Sequence, residues 1–287
     1  MHESEQWKTI REANRRSWNA ATLVHQQHKA TLQEQLRSGI GTLHAEERAL
    51  LGDVSGKRIA HLQCNDGVDT LSLALLGAEV VGVDISDTAI ATAEELRQRL
   101  GIPATFVRAD VYDWLSQAQH NGQQFDAVFV SYGVFCWLPD LRAWAQGVAG
   151  VLTPNGRLIA IDFHPVLGMF DDDWQVCYPY AGFGSSSLLE NPDGVGDYIG
   201  FEETLRTGQV PTQTWKNGRP AYEFAWGIGD ILSAVLGAGL QIEQFTEYAG
   251  CPYALRSGMV LREERWYPPS HVPPIPQLFS LVARRVD

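Results

Sequence analysis

The sequence predicts a doubly wound α/β fold, and two observations carry that prediction. Five short runs are apolar and rich in β-branched residues, as strands covered on both faces are: RIAHLQ, EVVGVD, ATFVRAD, FDAVFVSY and GRLIAIDF. Helical patterns lie between them, in VDTLSLALLG, DTAIATAEELRQRLG and LPDLRAWAQGVAGVL. Strands separated by helices of this length need crossover connections, which place helices on both faces of a parallel sheet.

Changes of pattern divide the chain into four parts of one domain. Residues 1–56 are an N-terminal helical extension, since apolar residues recur there at helical spacing. Residues 57–164 form the core of strands and helices. The alternation then stops, and residues 165–225 are too many for a structureless loop, so we expect an inserted lid. Residues 226–287 supply a helix and the closing strands, in WGIGDILSAVLGAGL, QIEQFTEY and QLFSLVARR.

The composition favours a globular protein and argues against two classes of partner. The chain has 287 residues, of which 45% are hydrophobic, and a net charge of -12. That charge repels phosphate backbones and anionic membrane surfaces, so we expect neither nucleic acid nor a membrane as partner. No run approaches the roughly 20 apolar residues that cross a bilayer, and none resembles a signal peptide, so a cytoplasmic location is expected. The cysteines and histidines lack metal-ligand spacing, and we expect no metal.

The chemistry is expected in the turn after the first strand, because ligands of open α/β sheets bind beyond the carboxyl ends of the strands. The turn lies in HLQCNDGVDT, and only Gly67 remains of the glycines with which a dinucleotide loop cradles its pyrophosphate. A carboxylate at Asp66 or Asp69 would repel that phosphate. A cofactor with an ammonium and a carboxylate instead needs one glycine, a polar group such as Asn65, and an acid such as Asp84 for its ribose. S-adenosylmethionine meets these demands.

Three stretches then resemble a class I S-adenosylmethionine-dependent methyltransferase: RIAHLQCNDGVDTLSLALLGAEVVGVDIS, ATFVRADVYDW and FDAVFVSYGVFCWLPDLRAWAQGVAGVLTPNGRLIAIDFHP. The resemblance covers residues 57–164, with the family's motifs in order. It implies a seven-stranded, Rossmann-like sheet whose last two strands form an antiparallel pair. More narrowly, the chain resembles a bacterial group of small-molecule methyltransferases in which HLQC-x-x-G-x-DT replaces the usual glycine motif.

The resemblance carries the cofactor site over residue by residue. His61 stands where most of the family has the motif acid, and Gln63 and Asn65 stand at the first two motif glycines. Asp84 matches the acid that binds the ribose, and Asp110 matches the acid that accepts a hydrogen bond from the adenine amino group. The cofactor-binding residues implied in this way are Trp18, Gln63, Asn65, Gly67, Thr70, Asp84, Ile85, Asp110, Val111 and Ser131.

The methyl acceptor is expected near the ends of the fourth and fifth strands, under the N-terminal extension. Tyr132 and Trp137 follow the fourth strand, and His25 lies on the extension, which often folds over the cofactor in this group. These three are the expected substrate contacts. His164 follows the fifth strand and titrates near neutrality, so it is the expected base for an acceptor that carries a proton. Packing in a core or loop is the alternative interpretation for His25 and His164, and also for Trp18.

The leading hypothesis is an enzyme that transfers a methyl group from S-adenosylmethionine to O, N or S of a small molecule. The aromatic residues of the lid suit an apolar or planar acceptor and can surround a cationic nitrogen, or else they form the lid's own small core. A second hypothesis is a binding protein that keeps the cofactor pocket without transfer, as a sensor or partner subunit. A third, a nicotinamide-dependent oxidoreductase, shares the fold but needs the phosphate-binding glycines. The sequence indicates neither the acceptor nor the oligomeric state.

Overall fold

The computed structural model describes residues 5–182, 188–207 and 215–286. Within these ranges no helix combines the length and the apolar character that crossing a membrane requires. Two stretches of the inserted segment, 183–187 and 208–214, lie outside the described residues.

The expected helical extension precedes the sheet. Its helices are α1 (Glu5–His25), α2 (Ala30–Arg37) and α3 (Ala45–Leu51), with a short 3₁₀ turn at Gln26–His28. Helix α1 buries Ile10, Asn14, Ser17 and Ala21, which recur every three or four residues and so share one face. Two of these four side chains are polar, which indicates that α1 covers a surface offering hydrogen-bond partners.

The core then alternates strand and helix as predicted. Its elements are β1 (Arg58–Leu62), α4 (Val68–Leu75), β2 (Glu79–Asp84), α5 (Asp87–Leu100), β3 (Thr105–Arg108), α6 (Val111–His120), β4 (Phe125–Ser131), α7 (Leu141–Val151) and β5 (Leu152–Phe163). Ser86 caps the N-terminus of α5, where its hydroxyl accepts the Ala89 N–H, and Gly101 caps the C-terminus in the left-handed region. Helix α6 lies outside the helical patterns identified in the sequence, and Asp110 caps it by accepting the Tyr112 N–H.

The rest of the chain adds two small hairpin sheets to the closing elements. These elements are β6 (Leu188–Asn191), α8 (Tyr198–Thr207), β7 (Ala221–Phe224), α9 (Ile228–Gly237), β8 (Leu240–Tyr248), β9 (Val260–Arg262), β10 (Arg265–Tyr267) and β11 (Leu278–Arg285). Strands β6 and β7 pair antiparallel within the inserted segment, and β9 pairs with β10. The β9–β10 hairpin has no counterpart among the predicted strands.

Seven strands form the main sheet, in the order β3-β2-β1-β4-β5-β11-β8. The first five are parallel, and β11 runs antiparallel to both β5 and β8. The antiparallel pairing of the last two strands is therefore confirmed. Strand β1 lies beside β4, so the chain reverses its direction of travel across the sheet between them. Open α/β sheets bind their ligands at this switch point.

Apolar layers cover both faces of the sheet. Trp144 of α7 and Phe125 of β4 are each 1% exposed and lie in the layer that also contains α6 and α9. Leu51 and Leu71 are fully buried on the opposite face, in the layer formed by α3, α4 and α5. Burying one such side chain contributes about 2 kcal/mol, so the two layers hold the strand ends in fixed positions.

Candidate functional site

The candidate site lies where β1, β2 and β4 end, next to the switch point. Two hydrogen bonds join the loops that leave these strands. The Asn65 N–H donates to the Asp84 carboxylate at 2.8 Å, which ties the first loop to the second strand. Gln63 Nε2 donates to the Val134 carbonyl at 3.2 Å, which ties the first loop to the one after β4. Hydrogen bonds therefore join the ends of these three strands into one surface, which we call the cofactor wall because the sequence predicts a cofactor there.

The glycine-poor loop after β1 keeps a glycine-like backbone. Gln63, Asn65 and Gly67 have φ angles of 54°, 50° and 76°, so all three lie in the left-handed region. Asparagine tolerates this conformation better than most residues, whereas a glutamine there costs roughly 1–2 kcal/mol. The loop thus adopts the conformation that the family's glycines allow, and it adds two polar side chains.

Gly67 is required for packing within the protein. A Cβ at this position would lie 2.5 Å from Phe106 Cε1 and 2.9 Å from the Cβ of Ala93. The residue also begins α4. The close approach made by Gly67 is therefore to Phe106 on β3 and to Ala93 on α5, which brings the first loop against the neighbouring strand and helix.

Two buried acceptor atoms of this loop have no hydrogen-bond partner among the described residues: Gln63 Oε1 and Asp66 Oδ1. Gln63 Nε2 is already bonded, so the free atom of that amide is an oxygen. The other oxygen of Asp66 accepts from Lys29 Nζ at 2.6 Å, and also from Gln26 Nε2. Buried acceptors without donors are costly, and a ligand ammonium would satisfy them.

Lys29 connects the N-terminal extension to the glycine-poor loop after β1, residues 63–67, which we call the cofactor loop. It is 5% exposed and Asp66 is 2% exposed, so their ion pair is almost fully desolvated. Removing one partner of such a pair leaves an uncompensated buried charge. The sequence analysis missed Lys29, although a lysine between two helices of an acidic protein was the available signal.

Asp84 is the last residue of β2 and is half-buried. It accepts the N–H groups of Asn65 and Ser86, each at 2.8 Å. Burial raises the pKa of Asp84 to about 6, and these two donors act in the opposite direction. A carboxylate has about four lone pairs to offer, so Asp84 retains acceptor capacity for two hydroxyl groups.

His61 and Thr70 bond to each other under the loop. His61 Nδ1 lies 2.8 Å from Thr70 Oγ1, and Thr70 is fully buried. Burial lowers the pKa of His61 to about 3, so the ring is neutral at ordinary pH. With its hydroxyl used by His61, Thr70 supports the loop from below, and this geometry favours a structural role over the expected contact with a cofactor.

Asp110 lies beyond Asp84 with its side chain beneath α1. Its carboxylate accepts from Arg11 Nε at 2.6 Å and caps α6. Burial raises the pKa of Asp110, and the Arg11 charge opposes that shift. Of the other predicted cofactor contacts, Ile85 is half-buried, and Val111 and Ser131 are 8% and 9% exposed.

Trp18, His25 and Trp137 come together beside the wall. The rings of Trp18 and Trp137 meet edge to face at 5.5 Å, and those of Trp18 and His25 at 6.3 Å. His25 is 1% exposed, and its Nε2–H donates to the Gly196 carbonyl at 2.9 Å. Burial lowers the pKa of His25. The α1 residues expected from sequence thus meet the turn after β4.

Tyr132 lies in a separate aromatic group. Its ring is 5.1 Å from that of Tyr253 and 5.8 Å from that of Phe163. Its hydroxyl is buried without a hydrogen-bond partner among the described residues. Burial raises the pKa of Tyr132 well above its ordinary value, and so does the charge on Glu47. Tyr132 and Trp137 therefore belong to two different groups of side chains.

The geometry at His164 does not suit a base. Its Nδ1 accepts the Val166 N–H at 3.1 Å, and its Nε2 lies 2.9 Å from Glu247 Oε1 on β8. Nδ1 uses its lone pair to accept the Val166 N–H, and Nε2 carries the ring proton, so the neutral ring has no lone pair free to accept a proton from a substrate. His164 instead caps the turn after β5, and we therefore assign it no catalytic role.

Asp162 organises the loop after β4, a role that the sequence analysis missed. It is 3% exposed, and its carboxylate accepts the N–H groups of Gly133, Val134 and Phe135. An acid inside the apolar strand GRLIAIDF was the available signal, because a buried carboxylate needs donors. This bonding positions both Trp137 and the Val134 carbonyl that holds Gln63.

The fold and the site together define a class. The chain is a doubly wound α/β protein with a ligand site at its switch point. Asp66 Oδ1, in the loop after β1, is buried without a hydrogen-bond partner among the described residues, and a carboxylate there favours a ligand without phosphate.

Comparisons with known proteins narrow this class. A family model described as a methyltransferase domain matches residues 60–158. The chain is 31% identical to thiocyanate methyltransferase 1 of Brassica oleracea over 162 residues, which are 51% of this chain and 67% of that protein. It is 27% identical to a ubiquinone biosynthesis O-methyltransferase of Aromatoleum aromaticum, over 52% of this chain and 58% of that protein.

Among solved structures, a putative S-adenosylmethionine-dependent methyltransferase from Listeria monocytogenes has the same fold. It superposes with a TM-score of 0.57 at 15% identity, over 84% of this chain and 96% of that one. The chain belongs to the S-adenosylmethionine-dependent methyltransferases of class I; it is an enzyme, and S-adenosylmethionine is its cofactor. Membership of the narrower bacterial group with the HLQC motif stays a prediction.

Proposed function

We propose that this enzyme methylates O, N or S of a small molecule that is enclosed between α1 and the inserted segment. The observation that carries the proposal is a set of hydrogen bonds between these two parts that are partly or fully buried. Asn14 of α1 donates to the Tyr222 carbonyl at 2.8 Å and accepts the Tyr222 N–H at 2.7 Å. Ser17 accepts the Val195 N–H at 2.9 Å and donates to the Arg219 carbonyl at 3.0 Å. We expect an enclosure of this kind to suit a small acceptor better than a macromolecule.

The residues of the site fit the cofactor. Asp84 would accept the ribose hydroxyls, and Asp110 would accept from the adenine amino group. Gln63 Oε1 and Asp66 Oδ1 would accept from the ammonium of the methionine moiety, which would satisfy both buried atoms. When bound, the cofactor supplies an electrophilic methyl group on a sulfonium, and the chain holds the acceptor in line with that group.

The comparisons support this range of acceptors without selecting one. The named relatives act on a sulfur-containing anion and on an oxygen nucleophile, as their names state. A cytoplasmic location, the absence of nucleic-acid and membrane partners, and the absence of a metal are part of the same proposal. The second hypothesis, a binding protein without transfer, has less support because the family is one of enzymes.

Isothermal titration with S-adenosylhomocysteine tests the cofactor site. We expect Asp84→Asn to weaken binding by about tenfold or more, because a charged acceptor of two hydroxyls is lost. The ionised carboxylate is the better acceptor, so wild-type affinity should fall as the pH drops through about 6, where Asp84 takes up a proton.

Glu79→Gln is the matched control, since Glu79 lies at the opposite end of the same strand and is exposed. It should leave the affinity and its pH dependence unchanged. Folded wild-type protein that fails to bind S-adenosylhomocysteine would refute the proposed function. Equal affinities of wild type and Asp84→Asn at every pH would refute the role given to Asp84.

A further inference from the structure

An aromatic surface lies between α1, the turn after β4 and the inserted segment. It is lined by three half-buried tryptophans, one from each of these parts: Trp18, Trp137 and Trp215. They pack around a small buried centre formed by Ala21, Val195 and Ala221. We name the surface of the three indoles the tryptophan recess. Trp137 lies in the turn after β4, three residues beyond the Val134 carbonyl that accepts from Gln63, so the recess adjoins the loops that form the cofactor wall.

One carboxyl group faces this recess. Glu223 and Ala221 are two residues apart on β7, so their side chains project to the same face of the strand. Ala221 packs with the tryptophans, which places Glu223 on the recess side. The neighbouring Cys136 supports this placement, because the charge on Glu223 adds to burial in raising the pKa of that thiol.

Glu223 has no partner among the described residues that would explain its position. In residues 5–182, 188–207 and 215–286, no hydrogen bond or ion pair reaches its carboxyl group. The residue is half-buried, and burial alone raises its pKa. A carboxyl group that is partly desolvated beside aromatic rings, and that pairs with no cation in the described part of the chain, is typical of a functional site.

We propose that Glu223 selects the methyl acceptor and takes its proton. The inference rests on the proposed function and adds a substrate class to it. The acceptor is an apolar or planar molecule whose nucleophilic O, N or S atom carries a proton, such as a thiol, a phenol or an amine. An anionic acceptor is disfavoured because the carboxylate in the recess repels it.

The reaction balances with this assignment. The acceptor's X–H bond breaks and its proton passes to a carboxylate oxygen of Glu223. A bond forms between X and the methyl carbon, the bond between that carbon and the cofactor sulfur breaks, and the electron pair of that bond stays on sulfur. The products are the methylated acceptor and S-adenosylhomocysteine, and Glu223 returns its proton to water.

The experiment compares two acceptors in wild type, Glu223→Gln and Glu223→Asp. 2-Phenylethanethiol carries a proton at neutral pH, and thiocyanate has none to lose. Formation of S-adenosylhomocysteine gives kcat/KM, and quenching of tryptophan fluorescence in the S-adenosylhomocysteine complex gives acceptor binding without turnover. Glu190→Gln is the matched control, because Glu190 is an exposed acid on the other strand of the same hairpin.

We expect wild type to prefer the thiol. Glu223→Gln should lower kcat/KM for the thiol by about 100-fold or more, the usual contribution of a general base, and leave thiocyanate unchanged or improved. Wild-type kcat/KM for the thiol should fall at acidic pH as Glu223 becomes protonated. This pH-dependent decrease should be absent in Glu223→Gln. Glu223→Asp should restore part of the activity, and Glu190→Gln should behave as wild type.

Different results would refute the proposed function and the role given to Glu223. If folded wild type does not bind S-adenosylhomocysteine, the proposed function itself fails. If it binds and Glu223→Gln slows both acceptors equally, or slows neither, the role of Glu223 is overturned. A wild-type preference for thiocyanate, or no binding and no turnover of either acceptor, also overturns it.

Discussion

Gln63 and Asn65 occupy backbone conformations that glycine adopts without strain. A family loop usually leaves bare backbone at these two positions, whereas this chain pays roughly 1–2 kcal/mol at Gln63 for a side chain. What it gains is a hydrogen bond from that amide to the Val134 carbonyl and a buried acceptor oxygen in the same loop as Asp66. Strain retained at a loop with unsatisfied acceptors is typical of a binding site.

Gly67→Ala tests the packing role of the remaining glycine. The new Cβ meets Phe106 and Ala93 well inside contact distance, and the φ of 76° is unfavourable for alanine. We expect the free energy of unfolding to fall by about 2 kcal/mol or more in a urea titration. Gly101→Ala is the control, because Gly101 has a φ of 67° and nothing within 4 Å. Equal losses in the two variants would show that the contact with Phe106 contributes nothing.

At the scale of elements, α1 connects both halves of the site. Its N-terminal half lies over Asp110 through Arg11. Its middle holds the inserted segment through Asn14 and Ser17. Lys29, which follows the short 3₁₀ turn after α1, binds the Asp66 carboxylate of the cofactor loop. One helix thus couples the position of the cofactor loop to the closure of the acceptor enclosure.

Asn14→Ala tests this coupling. Asn14 is 5% exposed, and the change removes its hydrogen bonds to two part-buried backbone groups of Tyr222, at about 1 kcal/mol each. We expect faster hydrogen exchange in residues 220–226 and a higher KM for the acceptor, with S-adenosylhomocysteine affinity changed far less. Thr9→Ala, on the exposed side of the same helix, is the control. An unchanged exchange rate at Tyr222 would contradict the proposed enclosure.

At the scale of the whole molecule, the buried titratable groups oppose one another in acid. Burial lowers the pKa of His61 to about 3 and that of His44 to about 4, so protonation of the unfolded chain destabilises the fold. Burial raises the pKa of Asp84, Asp110 and Asp162, which has the opposite effect. The free energy of unfolding in acid therefore depends on the difference between the effects of the buried histidines and those of the buried aspartates.

The variant His61→Asn isolates the contribution of His61 to the pH dependence of the free energy of unfolding. The pKa of His61 in the folded state is below its unfolded value, so its stabilisation is complete above about pH 6.5 and is lost as the pH falls toward 3. Over about pH 5.5 to 4, wild type should lose about 1.4 kcal/mol more per pH unit than His61→Asn, which keeps a polar partner for Thr70. Urea titrations across this range measure the difference. Parallel curves for the two proteins would mean that His61 titrates normally in the fold.

Particular residues show how far the sequence was informative about the site. The carboxyl-terminal ends of β1 and β2 were predictable because strand periodicity places Gln63, Asn65 and Asp84 at one edge of the sheet. His164 was misleading, since its place after β5 said nothing of Glu247, which lies on a strand far along the chain. Glu223 was not identified, because a single acid in a short strand of the lid has no local signal.

The sequence by itself determined the doubly wound sheet, the edge at which the cofactor binds and the methyltransferase class, because these depend on local periodicity and on a contiguous motif. Only the tertiary structure decided that Lys29 pairs with Asp66, that Asp162 carries the loop after β4, and that Trp18, Trp137 and Trp215 form one recess beside Glu223. These are contacts between residues far apart in the chain. They depend on how helices and loops pack, which no local pattern records.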